Sequence, residues 1–91
     1  MAEEADLEVW AIKQIKLKKG VTRKVKWICR RGAPDRLVWV PGWLWPELWE
    51  LKAPGKKLEA HQKREHIKLQ RMGVTCRKVD TREQVILFLN S

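Results

Sequence analysis

Asp35, Glu50 and Lys52 are the residues of this chain whose types and spacing could do chemistry. Glu50 and Lys52 stand two positions apart in a stretch that reads as a strand, so both project from one face while Trp49 and Leu51 project from the other. A hairpin turning about Gly42 and Trp43 would set Asp35 beside Glu50. Two carboxylates that close repel each other, and the physical remedies are a shared proton or a hard cation such as Mg²⁺ or Mn²⁺. With a lysine alongside, the group suits metal-assisted attack on a phosphate: the cation polarises the phosphoryl oxygen and acidifies water, and the ammonium offsets developing negative charge. A Glu50–Lys52 salt bridge is the plainer reading of the same spacing. A bulge in the Trp-Leu-Trp-Pro stretch would shift the register and separate the acids.

The elements that must position these residues follow from periodicity and turn residues. A first helix is expected over Glu3–Lys19, ended by Gly20. Val21–Arg30 reads as a strand, with Val25, Trp27 and Cys29 on one face and Lys24 and Lys26 on the other. After the turn "RRGAPD" come short strands at Arg36–Val40 and Leu44–Lys52, joined through Pro41-Gly42, with Pro46 marking an irregular or edge start. Leu58–Met72 reads as a second helix ended by Gly73, Val74–Val79 as a strand, and Thr81 with Gln84 as a capping box opening a last helix to Leu89.

In the first helix Ala5, Glu8, Ile12 and Ile15 form one stripe, which puts an acid among apolar residues. In the second, Leu58, Gln62, Glu65, Leu69 and Met72 form a similar stripe, which turns Gln62 toward the sheet. Either intrusion could point to the patch of Asp35, Glu50 and Lys52, or mark where a stripe meets solvent. His61 and His66 are five apart, a poor spacing for a shared face, and are expected to be exposed.

At 91 residues the chain is a single domain with a thin core of its own, and its six tryptophans are more than one small interior takes in. Some are expected to face a partner subunit, which predicts a homodimer, with or without exchange of elements. A net charge of +9 favours a polyanion, and nucleic acid first. Cys29 and Cys76 form no C-x-x-C, which argues against a zinc ribbon or disulfide scaffold. No stretch has the length of a membrane span and the first residues lack the form of a signal peptide, so no membrane association and a cytoplasmic location are expected. Arg30, Arg31, Arg36, Lys56 and Lys57 flank the candidate site and are placed for DNA phosphates, with solvated charge as the alternative for each.

The segments "RRGAPDRLVWVPG" and "ELKAPGKKLEAHQ", with the following H-x-x-L-x-x-x-G, resemble the VRR-NUC family of the PD-(D/E)XK nuclease superfamily, in particular its short standalone phage-type members. The resemblance runs from about Leu7 to Leu89. It implies an α/β, restriction-endonuclease-like mixed sheet flanked by helices in the order α-β-β-β-α-β-α. It also implies Mg²⁺ or Mn²⁺ held by Asp35, Glu50 and the main-chain carbonyl of Leu51, with Lys52 as the catalytic lysine. Glu8 falls on the family's first-helix acid and is expected among the metal ligands, Gln62 falls on its helical glutamine and is expected in the catalytic set, and Lys24 falls on a lysine that supports substrate or site. The Trp-rich run "WVPGWLWPELW" departs from the family pattern. The function that follows is a metal-dependent endodeoxyribonuclease acting on branched DNA, a dimeric four-way-junction resolvase located in the host cytoplasm if phage-encoded. The alternatives are a nonspecific, flap or restriction-type nuclease, a catalytically silent nucleic-acid-binding module, and an assembly subunit of a replication complex.

Overall fold

The computed structural model describes residues 2–91 as α1 (Ala2–Leu17), β1 (Val21–Lys24), β2 (Arg36–Trp39), β3 (Glu47–Leu51), α2 (Ala60–Arg71), β4 (Cys76–Val79) and α3 (Arg82–Leu89). The order of element types is the expected one. The four strands lie side by side as β1-β2-β3-β4, the first two pairings antiparallel and the last parallel, with α2 as the crossover between β3 and β4.

The hairpin register places Arg36 opposite Trp49, Leu37 opposite Leu48 and Val38 opposite Glu47, so the strands carry Asp35 and Glu50 toward the same end of the sheet as the turn about Gly42 and Trp43 requires. The Trp-rich loop does not bulge the ladder. It shortens β3 instead, which starts at Glu47 after Pro46, a residue with no N–H to donate, and leaves Leu44 and Trp45 exposed.

The other boundaries move for similar local reasons. The left-handed cap residue of α1 is Lys19 (φ 61°), not Gly20: Lys19 N–H donates to Lys16 O at 2.8 Å and Gly20 N–H to Ile15 O at 2.8 Å, the two bonds of a Schellman motif. Gly20 is required by space, because a Cβ there would lie 2.7 Å from Val40 Cγ1 and 2.8 Å from Trp39 O. The strand expected to reach Arg30 ends at Lys24. Val25 N–H still donates to Asp35 O at 2.8 Å, but Cys29 (φ 63°) and Gly32 (φ 83°) then take left-handed conformations that a pleated strand cannot contain.

Leu7, Ala11 and Ile15 form the buried line of α1, with Glu8 and Ile12 at its margin and Ala5 exposed, so the true stripe lies beside the expected one. Together with Val85 and Leu89 of α3 it covers one sheet face, where Val38, Trp49, Leu51 and Val79 are buried and Val40 follows β2. Trp49 packs edge-on against Phe88 with ring centroids 6.0 Å apart. The second face carries Leu37, Leu48, Glu50 and Lys78, and α2 covers only its β4 side. Beyond α2 it stays open as an apolar cleft of about 420 Å³ walled by Trp27, Leu37, Trp45, Leu48 and Val74. Among the described residues no helix is long and apolar enough to cross a membrane.

Candidate active site

Asp35 ends the Gly32-Ala33-Pro34-Asp35 loop, one residue before β2 begins, and Glu50 is the penultimate residue of β3. Gly32 fixes where that loop sits. A Cβ on it would meet His61 O at 2.7 Å, and its φ of 83° suits glycine, so the loop presses directly on the start of α2. Pro34 beneath it is buried and accepts a hydrogen bond from Trp27 Nε1 at 2.8 Å.

The two carboxylates do interact. Burial first, and then the charge of Asp35, push the Glu50 carboxyl up to about 7, with Lys52 pulling the other way and Glu4 adding to the rise. Lys52 follows directly on β3, its backbone N–H donating to Val79 O at 2.9 Å, and its side chain is buried at 6% exposure. Among the described residues Glu50 and Lys52 form no ion pair, which removes the salt-bridge reading of their spacing.

The counter-charge comes from β1 and β2. Lys24 Nζ lies 2.9 Å from Asp35 Oδ2 and 3.4 Å from Glu8 Oε2, and Arg36 donates to Glu8 Oε2 at 2.6 Å. The hydrogen bond to Asp35 raises the Lys24 pKa. Burial alone would lift the Glu8 carboxyl, but Arg36 and Lys24 outweigh it and hold Glu8 below the usual glutamate value.

Among the described residues no three His, Cys, Asp or Glu side chains converge into a metal cage. The donor set that remains is two carboxylates, Asp35 and Glu50, with the neighbouring carbonyl of Leu51. That suits Mg²⁺, which takes one or two carboxylates and completes its shell with water and substrate phosphate. The charge of Asp35 adds to burial in raising the Glu50 pKa, a repulsion that a cation between the two acids would relieve. Glu8, expected among the ligands, is paired with Arg36 and Lys24.

The remaining expected residues divide. Gln62 lies where α2 meets the Asp35 loop, but its Oε1 accepts the Glu59 N–H at 2.9 Å, a capping bond at the start of the helix. Of the proposed phosphate contacts, Arg31, Lys56 and Lys57 are exposed. Arg30 pairs with Glu65 at 2.5 Å, and Arg36 is turned inward onto Glu8 with its side chain 12% exposed. His66 corrects the expectation of an exposed histidine: it is 4% exposed, its Nε2 has no partner among the described residues, and burial holds its pKa down. Spacing could not show this, since α2 buries Glu65 and His66 against β4 while Met72, on the expected stripe, is 73% exposed. Glu4, one helical turn before Glu8, was the acid near Glu50 that sequence reading missed; its i, i+4 relation to Glu8 was the available signal.

No family model and no curated protein matches the chain. A solved structure described as a VRR_NUC domain does, with 28% identity, a TM-score of 0.85, and coverage of 97% of this chain and 95% of that one. That likeness supports a VRR-NUC family member. The mixed four-stranded sheet flanked by helices matches the VRR_NUC fold, and the likeness supports a nuclease of that kind.

Proposed function

We propose that this chain is a divalent-metal-dependent, structure-selective endodeoxyribonuclease that works as a homodimer on four-way DNA. The observation that carries the catalytic part is the meeting of Asp35 and Glu50 at the ends of β2 and β3, with the Glu50 carboxyl pushed up to about 7 and Lys52 buried directly after β3.

Asp35, Glu50 and the Leu51 carbonyl would hold Mg²⁺ or Mn²⁺, which when bound polarises the phosphoryl group and lowers the pKa of water. Lys52 supplies positive charge on the face that Glu50 occupies, where the phosphate becomes more negative as the bond breaks. Burial of the residue holds its side chain in place. Without a cation the raised pKa favours the protonated Glu50 carboxyl near neutral pH, and a bound cation would favour the carboxylate that ligates it. Lys24 and Arg36 neutralise the acids of α1 and the Asp35 loop, which keeps a site with several carboxylates from repelling a polyanion.

The dimer reading is supported by the open apolar face and by Trp39, Leu44 and Trp45, exposed at 42%, 82% and 78% in and beside the β2–β3 loop. A two-fold pair of sites matches the two-fold relation of opposed strands in a four-way junction. Incubation of labelled four-way, flap and linear DNA with the protein in Mg²⁺, Mn²⁺ or EDTA tests the reading. Cleavage only with metal, and preferentially of the junction, is expected. Equal cutting of linear duplex would replace it with a nonspecific or restriction-type nuclease, and binding without cutting with a silent nucleic-acid-binding module.

A further inference from the structure

One cleft of about 260 Å³ away from the carboxylates is lined by Lys57, Leu58, Lys63 and Lys78. The three lysines come from three separate parts of the chain: the loop before α2, the first turn of α2, and β4. Such convergence of like charges is unfavourable unless something negative lies among them. The protein supplies little of it. Asp80 Oδ1 is 3.4 Å from Lys78 Nζ, but the same carboxylate also accepts the Gly55 N–H at 2.9 Å, and neither Lys57 nor Lys63 has an ion pair among the described residues.

The register then relates this cleft to the catalytic residues. Lys78 is the direct partner of Glu50 in the parallel β3–β4 ladder, so both side chains project from the same face on strands about 4.8 Å apart. A phosphate held among the lysines therefore lies one strand away from a phosphate at Asp35, Glu50 and Lys52. A phosphate recurs at every nucleotide of a DNA strand, so a single strand can occupy both positions.

We propose that the Lys57, Lys63 and Lys78 cleft seats a backbone phosphate of the cleaved strand, close to the phosphate that is cut. The assignment rests on the nuclease reading. It makes Lys63 and Lys78 substrate-binding residues and gives the strand a defined path across the second sheet face, from the β2–β3 end of the site over β4 to the start of α2. Binding there reads charge and spacing, not bases.

The test is binding of a fluorescent four-way junction in EDTA across a range of NaCl concentrations, for the wild type, Lys57→Gln/Lys63→Gln, the same pair with Lys78→Gln, and a Lys13→Gln/Lys16→Gln control on the exposed side of α1. Each lost phosphate contact reduces the slope of log K against log salt by about 0.9. The cleft pair should lower the slope by about one to two units and weaken binding at least about tenfold at low salt, with the triple variant lower again and the control close to wild type. In Mg²⁺ the cleft pair should raise KM and leave kcat at saturating DNA close to wild type. A slope equal to that of the control, or a loss confined to kcat, overturns the assignment. Wild-type cleavage is measured in parallel, so a protein that binds through the cleft but never cuts would sink the nuclease reading and leave the phosphate site standing.

Discussion

Lys24 Nζ sits 2.9 Å from Asp35 Oδ2, on the carboxylate that a divalent cation would also claim. The lysine side chain is 60% exposed, so the pair is a replaceable contact: a surface ion pair contributes at most about 1 kcal/mol. In the proposed site Lys24 would act as a resident counter-ion that the metal displaces. Lys24→Gln should tighten Mn²⁺ binding roughly fivefold, about 1 kcal/mol, as read by titration calorimetry of the DNA-free protein. Unchanged or weaker binding would mean that the ammonium and the metal do not compete.

In the proposed site Asp35 and Glu50 carry the donor atoms and Lys52 the cationic charge, so their removal should act on the chemical step. Asp35→Asn, Glu50→Gln and Lys52→Met should each lower the cleavage rate at least about a hundredfold, the range seen when a metal ligand or an electrostatic donor is lost. Junction binding in EDTA should stay within a few fold of wild type. Cleavage by Asp35→Asn at the wild-type rate would remove the site.

Glu50 also makes stability depend on pH. Its carboxyl is held at about 7 in the fold against 4.5 otherwise. Below pH 4.5 it is protonated in both folded and unfolded chains; between 4.5 and 7 only the folded chain keeps the proton, so stability falls as pH rises across that window and the loss is complete above it. His66, its pKa lowered by burial, works in the opposite sense and costs stability as pH drops below 6.5. Comparison with Glu50→Gln cancels the histidine. In EDTA the melting temperature of Glu50→Gln should gain on wild type from pH 5 to pH 7.5, and Mg²⁺ or Mn²⁺ should narrow the gap by restoring wild type. Parallel curves at all pH values would show that Glu50 is not under this strain.

How much of this was legible in the sequence depends on whether the signal was local. The β2–β3 register followed from a short turn and alternation, and it was enough to bring Asp35 to Glu50. Gly73 and the Thr81–Gln84 capping box are equally local, and both end or start helices where expected. The parts that escaped depend on what packs against what. His66 and Glu65 are buried because α2 leans on β4, and helical spacing alone could not choose that face. Lys78 became a neighbour of Glu50 only through a parallel ladder closed by the whole β3–α2–β4 crossover. Gly20 was read as a cap because glycine commonly ends helices, whereas here the approach of Val40 and Trp39 requires it and Lys19 takes the left-handed turn.

Gly32 is the place where backbone geometry and chemistry meet. Alanine there would carry a Cβ 2.7 Å from His61 O and stay at φ 83°. Left-handed strain of about 1–2 kcal/mol adds to a backbone clash that only a shift of the Asp35 loop from α2 can relieve. Gly32→Ala should therefore destabilise by about 2–4 kcal/mol, measured by urea denaturation, and should also lose activity under conditions where it remains folded, because Asp35 moves with the loop. Gly55→Ala, with nothing within 4 Å of its added Cβ, serves as the control. A variant as stable and active as wild type would show that the loop need not touch α2.

The exposed tryptophans bear on which DNA is cut. Trp45 at 78% and Leu44 at 82% exposure stand beside the open apolar face, and a second copy covering that face would hide them and pair the two sites. Light scattering after gel filtration should give twice the mass of one chain at micromolar concentration, and Trp45→Glu should return the monomer, since a charge buried without a partner is costly in an interface. If pairing sets substrate choice, the two effects separate cleanly. The Trp45→Glu monomer should keep cutting single strands of flap or linear DNA in Mn²⁺ but lose simultaneous incision of opposed strands in a four-way junction, scored as linear release from a cruciform plasmid in one binding event. With backbone charge as the main contact, cleavage should show weak sequence preference and fall steeply with salt. A monomeric wild type that resolves junctions, or a Trp45→Glu variant that still makes both cuts together, would exclude this face as the interface that pairs the sites.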